Sequence, residues 1–338
     1  MKYLQSHLIV FLLISCNSLM AQKTYPTIGK IIAEDPAFEK LISKNARIEV
    51  LASGFDWSEG PVWIKNGNYL LFSDVPKNVI YKWEEKEGLS VFLKPSGYTG
   101  LGYYSDEPGS NGLTVDDQGR LIACEHGDRR ISAMPLTKGG KITLADKFEG
   151  KRFNSPNDVV QHSNGSYYFT DPPYGLEKKH DDPSREITNF GVYRLSPDGK
   201  VSMEIKDLTR PNGLAFSPDG KTLYVAQSDP ERAIYMTYPV TADGHIGVGK
   251  LLYDATPMLK SGRLKGLPDG LKIDRDGNLW ASGPGGILVL NPQGKLLGRL
   301  EMSELTSNCA WGNDGSVLYL TVDSYVCRVQ TNTKGAGW

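Results

Sequence analysis

The chain has 338 residues, 39% of them hydrophobic, and a formal net charge of −1. That balance supplies no field to draw nucleic acid or an anionic membrane surface. Beyond the N-terminus its cysteines are Cys124, Cys309 and Cys327, odd in number and with no CxxC pair, which argues against a disulfide framework and a thiolate zinc site. Cys309 and Cys327 read as buried free thiols, with a disulfide between them as the alternative.

In chain order the first element is an export signal over residues 1–21. Lys2 gives a positive start, and Leu8 to Ile14 is an unbroken apolar run too short to span a bilayer. Two processing routes are open. Leu13-Ile14-Ser15-Cys16 has the form of a lipoprotein signal, which would put a lipid anchor on Cys16. Leu19-Met20-Ala21 has the form of an ordinary signal-peptidase site. Either way the expectation is an exported protein, periplasmic or lipid-anchored at the cell envelope. No later segment is apolar for long enough to make a membrane span. Residues 22–46 form an N-terminal segment ahead of the main domain.

From there the chain repeats. Six segments share an acidic or amide residue, usually Gly, an alternating apolar stretch, a polar turn and a second β-rich stretch. They begin at Glu59, Asn111, Asn157, Asn212, Asp269 and Asn308. Each reads as a hairpin whose turn carries Asn66-Gly67, Gln118-Gly119, Asn164-Gly165, Asp219-Gly220, Asp276-Gly277 or Asp314-Gly315. Further strand-like stretches, such as Val79 to Trp83 and Ile287 to Asn291, bring each repeat to about four strands, the grammar of a propeller. The expected fold is all-β, a six-bladed β-propeller over residues 47–330 with a tail at 331–338. After Val329 there is no room for a fourth strand. Arg47 to Ala52 is therefore expected to complete the last blade and spare the ring two open edges.

The residue opening each innermost strand lies at one mouth of the central channel. Glu59, Asn111, Asn157, Asn212, Asp269 and Asn308 thus form a ring of six oxygen-bearing side chains. Converging carboxylate and amide oxygens bind a hard divalent cation, and two carboxylates balance its charge. Calcium suits so irregular a shell best, with magnesium, manganese or zinc as alternatives. The returning strands end at the same mouth with Asp74, His126, Asp171, Asp229, Ser282 and Asp323. The expected neighbours are Asn111 with His126, Asn157 with Asp171, and Asn212 with Asp229, the acidic partners fixing amide orientation. His126, Asp171 and Asn111 are also candidate substrate contacts. Tyr174, after Pro172-Pro173, is either a pocket wall or a packing aromatic.

The segments SEGPVW, SNGL, NSPNDVV, FTDPPYG, RPNGLAFSPDG and LPDGLKID, in this order from about Ala52 to Val329, resemble the gluconolactonase, or regucalcin-like (senescence marker protein), family. The resemblance implies a six-bladed propeller with a catalytic divalent metal that hydrolyses sugar lactones. It assigns Glu59, Asn212 and Asp269 as metal ligands and Asp269 as the proton carrier. Asn157 matches a residue that is a ligand in some relatives and a substrate contact in others. Arg152-Phe153-Asn154 looks like an Arg-x-Asn motif of the animal members, but the count to Gly165 makes Asn157 the equivalent Asn. Ser155 then stands where those members place a substrate-binding Arg, which leaves the exact lactone open.

The expected reaction is attack of water on a lactone carbonyl polarised by the metal, with Asp269 moving the proton. No GxSxG elbow is present. Two other readings remain beside it. One is hydrolysis of phosphotriesters or other esters at a similar site. The other is a non-catalytic ligand-binding propeller with a structural calcium.

Overall fold

A computed structural model describes residues 23–137 and 139–338. The export signal and Cys16 therefore lie outside the described residues. Six antiparallel sheets of four or five strands follow one another along the chain, with a two-stranded ribbon, Lys147–Phe148 and Lys151–Arg152, between the second and third. Their innermost strands are Ser58–Ile64, Ser110–Val115, Val159–Gln161, Pro211–Phe216, Leu271–Ile273 and Thr306–Gly312. Those strands define blades 1 to 6. In five of the six first hairpins the turn glycine adopts positive φ, as at Gly119 (72°) and Gly277 (84°). In blade 1 the left-handed position falls one residue later, on Asn68 (52°), because Asn also tolerates that conformation.

Each blade buries its faces against its neighbours, so the apolar core is six separate layers around a polar axis. Ile64, Leu71 and Leu121 pack between blades 1 and 2. Phe153, Phe169 and Tyr193 belong to the layer between blades 2 and 3. Similar layers follow between blades 3 and 4, 4 and 5, and 5 and 6. The sixth layer stacks Trp63 on Tyr319 at 5.1 Å between centroids and joins blade 6 to blade 1. Six layers for six blades mean a closed ring.

Closure comes from the early chain. Ile48–Ser53 pairs antiparallel with Tyr325–Gln330, with Tyr325 opposite Ser53 and Val326 opposite Ala52. The expected outer strand of the last blade is therefore in place. The segment before it is not separate from the ring, however. Thr27–Ile28 adds a fifth strand to blade 6 and Lys30–Ala33 a fifth strand to blade 5. Phe38 and Ile42 are buried in the layer between those blades. Strands of two and four residues carry too little alternation to be read from sequence. Cys124, Cys309 and Cys327 are buried free thiols; burial pushes Cys309 and Cys327 up to about 12.

Around the axis the inner strands touch backbone to backbone. Gly112 N donates to Asn157 O at 2.7 Å and Gly270 N to Ser307 O at 2.7 Å. A Cβ on Gly213 would lie 2.2 Å from the Asp269 carbonyl oxygen. We expect Gly213→Ala to cost about 1–3 kcal/mol of stability, as overpacking does, and to lower the thermal midpoint. An unchanged midpoint would contradict this close approach.

Candidate functional site

The inner strands aim their opening side chains at the axis through a recurring irregularity. Pairing register shifts between Glu59 and Val62, Ser110 and Leu113, Pro211 and Leu214, and Thr306 and Asn308. Each shift is a β-bulge, which bends a strand and re-aims a side chain. Glu59, Asn111 and Asn212 sit at these bulges, while Asn157 and Asp269 lie just before their strands. All five line one cavity of about 430 Å³ at the channel mouth. Asn308 does not line it. Its amide turns inward, where Nδ2 donates to Glu59 Oε2 at 3.2 Å and Oδ1 accepts from Cys309 N.

The amides form a directed chain. Asn111 Nδ2 donates to Asn157 Oδ1 at 3.0 Å, and Asn157 Nδ2 donates to Asn212 Oδ1 at 2.6 Å. Asn212 Nδ2 donates to Ser228 Oγ at 2.9 Å, and Ser228 in turn donates to the Pro268 carbonyl. The hydroxyl does what Asp229 was expected to do. Asp229 instead accepts from Thr209 Oγ1 at 2.5 Å, away from Asn212. Adjacent residues on a strand point to opposite faces, so a slip of one residue exchanges Ser228 for Asp229. Other hydroxyls at this level stitch neighbouring blades. Ser73 donates to Asn111 O, Ser282 to Ser307 O, and Ser307 to Ser58 O across the closure. We expect Ser228→Ala to cost about 1–3 kcal/mol by orphaning two buried groups and to weaken divalent-cation binding about 10- to 100-fold. Titration calorimetry checks the second figure, and unchanged affinity would contradict the role given to Ser228.

Two expected substrate contacts stand behind the wall. His126 is fully buried between the Glu107 carbonyl, 3.2 Å from Nδ1, and Asn157 Oδ1, 3.2 Å from Nε2. Burial pushes the imidazole down to about 4, so it is neutral near pH 7. The turn at Gly175 covers it so closely that a Cβ there would come within 2.4 Å of His126 Cβ. It meets Asn111 at the shared Asn157 Oδ1, as expected neighbours should, and it does not line the cavity. Asp171 accepts from Asn154 N at 2.8 Å and from Asn154 Nδ2 at 3.2 Å. Fully buried, it anchors the 153–155 loop, makes no hydrogen bond to Asn157 and does not line the cavity. Ser155 bonds Pro172 O and Gly175 N, bracing the same turn. Asn157, not Asn154, reaches the cavity, as does Tyr174.

Two carboxylates, Glu59 and Asp269, lie on the cavity floor, and a third, Asp158, is buried near them without lining the cavity. Burial pushes Glu59 up to about 8, with Asp158 adding to the rise and the Gly60 N–H (2.8 Å from Oε2) and the Asn308 amide opposing it. Asp269 is pushed well above the usual carboxylate range by burial, then by Glu59, Asp158 and Glu107, against the pull of the Asn212 amide. Asp158 is raised mainly by burial, and its Oδ2 is buried with no hydrogen-bond partner. Sequence reading passed over Asp158, although a signal was there. It follows Asn157 where the equivalent positions in four other repeats are Gly60, Gly112, Gly213 and Gly270.

These residues fit a hard cation. Among the described residues no three His, Cys, Asp or Glu side chains form a cage of their own. The ring instead offers two carboxylates whose desolvation and mutual repulsion a cation would relieve. Amide oxygens stand beside them, and Asn111 Oδ1 is buried without a partner. An oxygen-only shell of this kind suits calcium. Glu107 and Lys179 bring further charge to the cavity wall from loops outside the repeats.

Residues 57–324 match the SMP-30/Gluconolactonase/LRE-like region. The chain is 42% identical over 314 residues to a gluconolactonase of Zymomonas mobilis subsp. mobilis, spanning 91% of this chain and 88% of that protein. It is 26% identical over 279 residues to regucalcin of Homo sapiens, spanning 80% and 85%. Among solved structures, a gluconolactonase from Xanthomonas campestris superposes with a TM-score of 0.77 at 30% identity, covering 92% of this chain and 99% of that one. A calcium-binding regucalcin from Agrobacterium tumefaciens shares the fold, with a TM-score of 0.66 at 18% identity and 86% and 94% coverage.

Proposed function

The chain belongs to the SMP-30/Gluconolactonase/LRE-like family and is a gluconolactonase-like lactone hydrolase, and from that premise we propose that it opens sugar lactones with the help of one divalent cation held at the channel mouth. The observation that carries this reading is the meeting of Glu59 and Asp269, both desolvated, with the Asn157 and Asn212 amides on the floor of one cavity. Glu59, Asn212 and Asp269 would hold the cation, with Asn157 beside them. When bound, a divalent cation, calcium in the first place, supplies Lewis acidity toward a carbonyl oxygen.

The rest of the chemistry belongs to the side chains. Asp269 accepts the proton of the attacking water and returns one to the departing ring oxygen, so that one water is consumed and one acid released. A cation next to Asp269 favours its ionised form, which a base requires. Asn111, which lines the cavity from blade 2, would meet the substrate there, and Tyr174 lines the same cavity. Ser155, locked in its turn, offers no cationic contact, so the polar end of the substrate meets Glu107 and Lys179 instead. The apolar run near the N-terminus supports export to the periplasm or envelope, with Cys16 as the site of any lipid anchor.

The test is turnover of glucono-δ-lactone and a dialkyl aryl phosphotriester by chelator-treated protein, before and after calcium is added. Calcium-dependent lactone hydrolysis, with the phosphotriester far slower, is expected. Lactone turnover that survives chelation would overturn the cation's role, and faster phosphotriester turnover would overturn the assignment of the bond cleaved.

A further inference from the structure

The cavity has two unlike sides. Its polar wall comes from blades 2 and 3, with Asn111, Asn157, Glu107 and Lys179. The opposite wall comes from the loops between blades 4, 5 and 6. It presents Leu259 on the short helix Thr256–Lys260, Leu267 just before Pro268-Asp269, and Leu305 at the entry to blade 6, with Pro230 beside them. Leu305 is 38% exposed. An exposed leucine is unremarkable alone, but three leucines converging on one side of an active-site cavity form an apolar surface that calls for a partner.

An aldonolactone does not supply that partner. Its ring carbons carry hydroxyls, and a hydroxyl pressed against leucine loses water without gaining a hydrogen bond. The leucine wall suits carbon and hydrogen only. It also adjoins the reacting centre, because Leu267 is two residues from Asp269. A group bound there would hang from the same ring whose carbonyl lies at the cavity floor. The cavity volume of about 430 Å³ leaves room for such a group beside a six-membered ring.

We propose that this protein also hydrolyses lactones bearing an apolar side arm, δ-alkyl lactones in particular, with the arm lying on Leu259, Leu267 and Leu305. The inference rests on the reading of the floor as a lactone-opening site and extends its substrate class. The reaction balances as before: water adds across the acyl–oxygen bond, giving a hydroxy acid whose alkyl arm is unchanged.

The test is kcat/KM for δ-valerolactone, δ-hexalactone and δ-octalactone, with glucono-δ-lactone measured alongside, on calcium-supplemented protein. A rise of about fourfold per added methylene is expected, the discrimination that burial of one methylene provides. In Leu267→Asn/Leu305→Asn the ratio between octa- and valerolactone should shrink to less than about threefold, with circular dichroism confirming the fold. Leu305→Asn alone, at an exposed position, should flatten the series in part. Turnover of glucono-δ-lactone with a flat or falling alkyl series would overturn this inference alone. A slope unchanged in the double variant would do the same. Failure to open any lactone would overturn the reading of the floor and this inference with it.

Discussion

Replacing Asp269 by Asn is expected to lower lactone turnover by about 10²- to 10⁴-fold, the loss that follows removal of a positioned proton acceptor. The substitution keeps an oxygen that can ligate but removes a charge and the base. Cation affinity should fall as well, because Glu59 is then the one carboxylate left in the ligand set. Excess calcium should refill the site without restoring turnover. Asn212→Ala provides the contrast. It removes the proposed neutral ligand and leaves the proposed base, so excess calcium should recover much of its activity. The comparison needs occupancy and lactone hydrolysis measured on the same samples. Full recovery of Asp269→Asn by calcium would make Asp269 a ligand only and pass the proton to another group. Asp158, buried with an unpartnered oxygen, would be the first to examine.

Truncation to residue 52 is expected to abolish cooperative folding, whereas truncation to residue 22 should leave the thermal midpoint unchanged. The longer deletion removes most of the strand that completes blade 6, including the Glu49 partner of Arg328 at 2.7 Å. It also removes the outer strands Thr27–Ile28 and Lys30–Ala33. Phe38, Ile42 and Ile48, all 2% exposed or less, leave the layer between blades 5 and 6. Burying one such side chain contributes roughly 1.5–3 kcal/mol. Three of them approach the whole stability of an ordinary domain, roughly 5–15 kcal/mol. The shorter deletion removes a stretch that reads as an export signal. Equal midpoints for the two truncated chains, by calorimetry, would contradict closure by the early strand.

The architecture was legible because each blade repeats the same instructions. A turn glycine such as Gly220, flanked by alternating apolar residues, specifies a hairpin wherever it occurs, and six in series specify a ring. That Glu59, Asn111, Asn157, Asn212 and Asp269 line one cavity was legible for the same reason: they sit at one place in the repeat. What the repeat could not convey was direction within one residue. Ser228 and Asp229 are both polar and adjacent, and only the register of Thr222–Asp229 decides which faces Asn212. Asp171 and His126 stand behind the cavity wall because a polar residue at a strand end is as readily consumed by a neighbouring loop as offered to a ligand. The leucine wall and the Glu107–Lys179 side were out of reach for a different reason. They lie on connections of unequal length between blades, where nothing repeats and the spatial neighbour is far away in sequence.

On the proposed reading the channel mouth holds the cation on which lactone opening depends. It is tested most directly by an anomalous difference map from a calcium-loaded crystal, recorded at long wavelength. One strong peak per chain is expected at the channel mouth, within bonding distance of oxygens of Glu59, Asn212 and Asp269. A peak elsewhere on the protein, or an empty mouth in a crystal whose protein turns over lactone, would contradict it.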